Sequence, residues 1–379
     1  MREIHDETGF QQWLREQEGE AVAVQGLDLR AHTEPLLERS RAGSLFLACA
    51  LDDRAVHGLM AHGAFVFPSL DGFEFEVHRP CLYDVETLFA GFEEGGRSYA
   101  ATLDARIYRQ YLDQGAAFPD SIRTTLARRL HDHSMTDALH DLIEGERVVA
   151  FMGGHGMERA SDMYRRIARL SRRLTRAGLL VTTGGGPGAM EAAHVGAYFA
   201  GRDDEDLEAA LHRLAPRPSG SAPGKEYADP DWLERAWSVR EQFPLDASQV
   251  EAACSVGIPT WFYGHEPPAP FATHIAKYFA NSVREDGLLT IARGGVVFAP
   301  GSAGTTQEIF QDAAQNHYRT AGYESPMILW DVDYWTHTRP VWPLLEAVSR
   351  DRTYGELVDC TDDDERVFDL LTSFEPPTT

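Results

Sequence analysis

The chain has 379 residues, with 35 lysines and arginines against 59 aspartates and glutamates, a formal net charge of −24. A negative field of that size repels polyanions, so no stable nucleic-acid partner is expected. No stretch approaches the ~18 consecutive apolar residues of a membrane span, residues 1–20 hold no apolar signal core, and Cys49, Cys81, Cys254 and Cys360 are too dispersed for a zinc site or a disulfide framework. These exclusions predict a cytoplasmic protein of two domains or slightly more, with no metal site and no membrane association.

In chain order, residues 1–143 read as an N-terminal α+β extension. Short apolar runs at 21–24, 44–51 and 64–67 alternate there with charged segments and end in a helix over 121–143. His131 and His133 lie two apart on that helix and point in different directions, so the pair does not chelate a metal. No catalytic constellation is visible in the extension, whose role is regulatory or structural.

From residue 144 to 379 the pattern alternates strand and helix, which predicts an α/β domain: a doubly wound parallel sheet with helices on both faces. Strands are expected at 147–152, 179–183, 252–258, 295–299 and 327–330, and helices at 161–177, 188–199, 273–289, 305–317 and 334–349. On the first of these helices Arg165, Arg166, Arg169, Arg172, Arg173 and Arg176 flank an apolar stripe of Met163, Ile167, Leu170 and Leu174. Without interleaved aromatic residues these arginines read as a solvated face rather than a nucleic-acid patch. Residues 201–250 form an insertion with an acidic run at 203–208 and a Pro/Gly/Ser-rich stretch at 216–224, expected as two short helices around a mobile connection. The acidic tail after residue 363, ending near Pro376 and Pro377, is expected to fray.

Ligands of open parallel sheets bind beyond the carboxyl ends of the strands, and three of the loops there are rich in glycine. The first, Gly153-Gly154-His155-Gly156, lets backbone approach a ligand, with His155 placed to meet a phosphate or a base. The second, Thr183-Gly184-Gly185-Gly186-Pro187-Gly188-Ala189-Met190-Glu191, opens a helix whose unpaired N–H groups favour an anion. It also fits the G-x-G-x-x-A spacing of a dinucleotide fingerprint, but it follows the second strand of the unit, which favours a mononucleotide phosphate. The third is Pro300-Gly301-Ser302-Ala303-Gly304-Thr305-Thr306-Gln307-Glu308. Thr305 and Glu308 have the spacing of a capping box, and equally of an anion site with a carboxylate one turn in. Upstream, His274, Lys277, Asn281 and Arg284 fall on one polar stripe of the helix expected at 273–289, where a cationic face would gather an anionic substrate. Trp261 and Tyr263 either stack on a base or pack in the core.

The second and third loops together resemble the lonely guy (LOG) family, also called lysine-decarboxylase-like, which is marked by G-G-G-x-x-G-x-M and P-G-G-x-G-T-x-x-E. The resemblance covers about residues 145–331, apart from the insertion. It implies a Rossmann-like fold and hydrolysis of the N-glycosidic bond of a nucleoside 5′-monophosphate to free base and ribose 5-phosphate, without a cofactor. It also implies a homodimer or larger homo-oligomer, with sites near a subunit interface. The family's catalytic pair falls on Glu308, which stabilises the oxocarbenium-like ribose and activates water, and on Arg284, which orients the reacting groups. The 5′-phosphate then falls to the glycine loops. Two departures stand out: Ser302 replaces a glycine, and Arg284 lies sixteen residues before Pro300, where the family has some fifteen. The alternative is a non-catalytic nucleotide or molybdenum-cofactor binder on the same fold, in which a carboxylate facing a phosphate has no purpose. A nicotinamide-dependent oxidoreductase is a third reading.

Overall fold

Apolar runs bounded by glycine and by helix-capping residues build two parallel sheets in the computed structural model, which describes residues 1–16, 20–216, 221–264 and 266–376. The chain divides into two units, one of residues 1–82 and 109–141 and the other of residues 83–108 and 142–379. Residues 83–108, placed by the sequence pattern in the N-terminal extension, therefore belong to the second unit.

In the first unit, β1 (Arg2–Ile4), β2 (Val22–Gln25), β3 (Leu45–Leu47) and β4 (Phe65–Phe67) lie side by side in that order, all parallel. Asp6 and Asp52 start the helices Glu7–Arg15 and Asp53–Ala61 by accepting hydrogen bonds from Gly9 N and Ala55 N, each at 2.7 Å. Phe10, Trp13, Leu29, Leu36, Phe46 and Leu59 close the core between sheet and helices. His131 is fully buried with its ring edge-on to Phe75 at 5.2 Å, a packing role.

The second unit carries β5 (Val148–Met152), β6 (Leu180–Thr183), β7 (Ser255–Gly257), β8 (His274–Ile275), β9 (Gly295–Phe298), β10 (Met327–Trp330) and β11 (Val358–Thr361). All seven are parallel, in the order β11-β10-β9-β5-β6-β7-β8, a Rossmann-like doubly wound sheet with helices on its faces. Strands covered on both sides need continuous apolar sequence, and β5 is Val-Val-Ala-Phe-Met, every residue buried. The chain winds outward from β5 to β8 and then returns to lay β9 against the other side of β5, with Ala150 opposite Val296. That reversal leaves a crevice between the loops that follow β5 and β9. Close helix packing fixes the layer above: a Cβ on Gly196 would stand 2.1 Å from the Ala168 carbonyl oxygen, so the helices Asp162–Arg176 and Ala189–Tyr198 touch backbone to backbone there.

Four sequence-level expectations change. The helix expected at 273–289 begins only at Asn281 (Asn281–Ile291); before it, His274–Ile275 extends the sheet, with His274 opposite Val256. Apolar residues at 276, 279, 280 and 283 fit a helical period, but burial of Ile275, Ala276 and Tyr278 against the sheet edge decides for extended chain. The helix expected at 334–349 is broken at Pro340 into a short π-helical segment, Tyr334–Thr338, and the helix Trp342–Ser349. The acidic tail after residue 363 is ordered as the helix Asp364–Ser373, capped by Asp363 and anchored by buried Val367 and Leu371. The arginine face is exposed over much of its length, as expected, but it is also paired, and Arg172 is buried. Arg166, Arg169 and Arg173 pair with Asp364, Glu208 and Glu365, while Arg172 and Arg176 donate to the Phe199 and Ala200 carbonyls at 2.9 and 2.7 Å.

The insertion, expected as two helices, forms Asp204–Leu214 and Pro230–Gln242, which bury Leu207, Leu211, Ala236 and Val239 in the main core, and adds a third, Ala247–Ala252, that buries no residue. Of the mobile connection expected there, residues 217–220 lie outside the described residues, as does Pro377 in the tail. Among the described residues no helix is long and apolar enough to cross a membrane.

Candidate active site

The loops after β5, β6, β7 and β9 meet the helix Asn281–Ile291 around a cavity of about 360 Å³. Gly153, Gly154 and His155 line it from the first loop, Gly184, Gly186 and Met190 from the second, and Ser302, Gly304, Thr305 and Glu308 from the last. The glycines that do not line it make it possible. Gly188 has φ +70°, and a Cβ there would stand 2.4 Å from the Gly154 carbonyl oxygen, so only glycine lets the β5 and β6 loops cross. Gly185 packs under Ile258 and Pro259. Pro300 accepts a hydrogen bond from Gly154 N at 3.0 Å, and Gly301 accepts one from the Tyr334 hydroxyl at 2.5 Å; both Pro300 and Gly301 line an adjoining cavity of about 520 Å³ that shares Gly154, His155 and Ser302 with the first.

The third motif starts its helix earlier than its spacing suggests. The helix runs Ala303–Tyr318 with Ser302 at the N-cap and no side-chain cap, so the Thr305/Glu308 capping box does not form. Its first N–H groups open beside Ser302, Gly304 and Thr305, which suits an anion. Glu308, freed from capping, turns into the cavity with its side chain 14% exposed. Burial pushes its carboxyl up to about 7, Arg284 pulling it down and Glu285 pushing it up.

Arg284 Nη2 stands 4.0 Å from Glu308 Oε1 and 3.5 Å from Glu285 Oε1. Gly184 makes room for it, since a Cβ there would lie 3.1 Å from Nη1. The guanidinium is held in register from behind: its Nε donates to Asn281 Oδ1 at 3.2 Å, Asn281 donates to the Tyr263 hydroxyl at 2.8 Å, and that hydroxyl donates to Glu285 at 3.0 Å. Gln307 donates to the other Glu285 oxygen at 3.0 Å. Asn281 thus supports Arg284 and does not itself line the cavity.

Four further sequence readings are settled, those of Lys277, Glu191, Trp261 and Ala303. Lys277 is buried against Asp104, with Nζ 2.7 Å from Oδ1, and it does not line the cavity. Asp104 also accepts from Trp261 Nε1 at 2.8 Å and from the Tyr99 hydroxyl at 2.5 Å. Burial lowers the Lys277 ammonium while Asp104 raises it, an internal ion pair rather than a phosphate ligand. Glu191 is fully buried; Arg159 grips it through Nε at 2.9 Å and Nη2 at 2.5 Å, and Tyr164 donates to it at 2.8 Å. Trp261 is buried with its ring 4.5 Å from that of Phe279, so it packs and does not stack on a base. Ala303 opens its helix at the surface, and it too is absent from the cavity wall.

Of the two lining side chains on the loop after β7, Tyr263 was one of the two aromatics left between stacking and packing, and its hydroxyl bridges Asn281 and Glu285, while Glu266, whose Oε1 lies 3.6 Å from His155 Nδ1, was not singled out in sequence. The only cue to Glu266 was its place beyond a strand end.

No protein-family model matches the sequence, and no curated protein does. Among solved structures, the molybdenum cofactor binding protein of the phototrophic bacterium Rippkaea orientalis aligns with 60% of this chain and 96% of its own, at 13% identity and a TM-score of 0.36. A likeness that distant carries no functional argument. Function has to be read from the cavity itself.

Proposed function

We propose that this protein hydrolyses the N-glycosidic bond of a nucleoside 5′-monophosphate, giving free base and ribose 5-phosphate. The observation that carries the reading is Glu308: a carboxylate on the cavity wall beside Arg284, in a helix start that uses no side-chain cap. The 5′-phosphate binds at the N–H groups opening the helix Ala303–Tyr318 and at the backbone of Gly184 and Gly186, where a missing side chain lets an anion approach. Binding energy from that remote group positions the ribose. As the base departs, positive charge grows on the ribose ring. Ionised Glu308 stabilises it and takes a proton from the attacking water. Arg284, too basic to lose its proton, keeps Glu308 ionised and orients it. The same reading places the protein in the cytoplasm as a homodimer or larger assembly of its own chain.

The test is incubation with a panel of nucleoside 5′-monophosphates, with free base and ribose 5-phosphate followed by chromatography. Release of both by the wild type, lost in Glu308→Gln and reduced in Arg284→Ala, supports the hydrolase. Nucleotide binding without release overturns it in favour of a non-catalytic binder.

A further inference from the structure

Bond cleavage leaves an electron pair on a ring nitrogen, and a base anion is a poor leaving group, so this reaction needs an acid as well as a base. Enzymes that cleave glycosidic bonds meet that need with two groups of different protonation state. The cavity limits the choice. Its titratable lining residues, among the described residues, are His155, Tyr263, Glu266, Arg284 and Glu308. Glu308 is committed as the base. Arg284 does not release its proton in a protein. Tyr263 spends its hydroxyl hydrogen on Glu285, and burial together with that carboxylate raises its pKa, the wrong direction for an acid. Lys277, the remaining nearby cation, is sealed against Asp104.

We propose that His155, held by Glu266, is the acid that protonates the departing base. This rests on the hydrolase reading of the same cavity. The two side chains come from different loops, those after β5 and β7, yet meet with Nδ1 and Oε1 3.6 Å apart on the cavity wall. Neighbours pack around the pair: Gly186 lies against Glu266 at van der Waals distance, a Cβ there standing 3.5 Å from Oε2, and Tyr227, supplied by the insertion, sets its ring edge-on to His155 at 5.7 Å. The backbone is fitted too, for a Cβ on Gly156 would lie 3.0 Å from the Gly224 carbonyl oxygen, so the insertion presses directly on the His155 loop. With Nδ1 turned to Glu266, Nε2 is the ring nitrogen left to serve the ligand. The imidazole side chain is 48% exposed, which lets water reprotonate it between turnovers.

The step balances. The C1′–N bond breaks with its electron pair left on the base, which takes the Nε2 proton. Water forms the new C1′–O bond and gives a proton to Glu308, and solvent then carries that proton back to His155. Substrate plus water becomes base plus ribose 5-phosphate.

The test compares two substrates of the full-length protein: a purine nucleoside 5′-monophosphate, and 4-nitrophenyl β-ribofuranoside 5-phosphate, whose nitrophenolate departs without a proton. For His155→Asn, and separately for Glu266→Gln on the other loop, the loss of kcat on the nucleotide exceeds the loss on the nitrophenyl substrate by about 10²-fold. Glu308→Gln depresses both substrates alike. Equal losses on the two substrates in both variants, or no loss on either, overturn the assignment while leaving the hydrolase reading intact. A wild-type protein that releases neither base nor nitrophenolate overturns both. Thermal midpoints identify a variant that fails to fold, and the variant on the other loop then decides.

Discussion

Two helices of the second unit begin alike and end up with opposite chemistry. Ala189–Tyr198 and Ala303–Tyr318 both follow a glycine-rich loop at a strand end, and both carry a glutamate within their first two turns, Glu191 and Glu308. Glu191 is fully buried and Glu308 mostly so, and each has an arginine. The difference lies in distance. Arg159 grips Glu191 with two hydrogen bonds, and Tyr164 adds a third, so that carboxylate is satisfied and faces no cavity. Arg284 stops 4.0 Å from Glu308, restrained by Asn281, and Glu285 competes for it. Burial therefore acts on Glu308 with little to offset it, and its carboxyl rises to about 7. A fully bonded carboxylate is a structural clasp. One held short of its partner can exchange protons near neutral pH.

The sharpest way to break the comparison is to remove the clasp. Glu191→Gln takes both carboxylate hydrogen bonds from buried Arg159 and leaves only the less direct Glu226 to offset its charge, and urea denaturation should show a loss of about 3–5 kcal/mol. Glu308→Gln should do the reverse. Base release falls by about 10²- to 10³-fold, the scale of losing one electrostatic stabiliser of the transition state, while the fold becomes more stable. The sign follows from the raised pKa: the folded state holds the Glu308 proton between about 4.5 and 7, so wild-type stability declines as pH rises through that window. Gln removes the decline, worth up to ~3 kcal/mol at pH 8, which parallel denaturation series at pH 5 and pH 8 would measure. A smaller effect sharpens the role of distance. The proposed mechanism requires ionised Glu308, so kcat/KM in the wild type is expected to rise with pH through about 7. Arg284→Ala removes the group that pulls this pKa down, and the acid limb should move to higher pH.

Much of this was legible in the chain, and the exceptions share a cause. β5, β6 and β9 announce themselves as apolar runs next to glycine and β10 as one between Pro326 and Asp331, and the three glycine loops follow from their position after strands. Glu308 and Arg284 meet in the cavity as their motifs suggest. What sequence could not separate was Glu191 from Glu308, because the partner that disarms Glu191 lies 32 residues earlier in the chain, on no shared periodicity. Lys277 shows the same limit: its cationic promise is cancelled by Asp104, a residue remote in sequence. The edge strand at His274–Ile275 hid inside a helical spacing, since pairing with β7 is a tertiary choice. In the tail, an acidic run that reads as solvated also contains a helix cap, Asp363, followed by Val367 and Leu371 on one face.

The most direct measurement is the stoichiometry of products from one nucleoside 5′-monophosphate at pH 8, with wild type and Glu308→Gln side by side. At that pH the variant is expected to be at least as stable as the wild type, so lost activity cannot be lost fold. The account predicts free base and ribose 5-phosphate in equal amounts from the wild type and at least about 10²-fold slower release from the variant. Nucleotide recovered intact from a wild-type protein that binds it, or equal rates from both proteins, would contradict it.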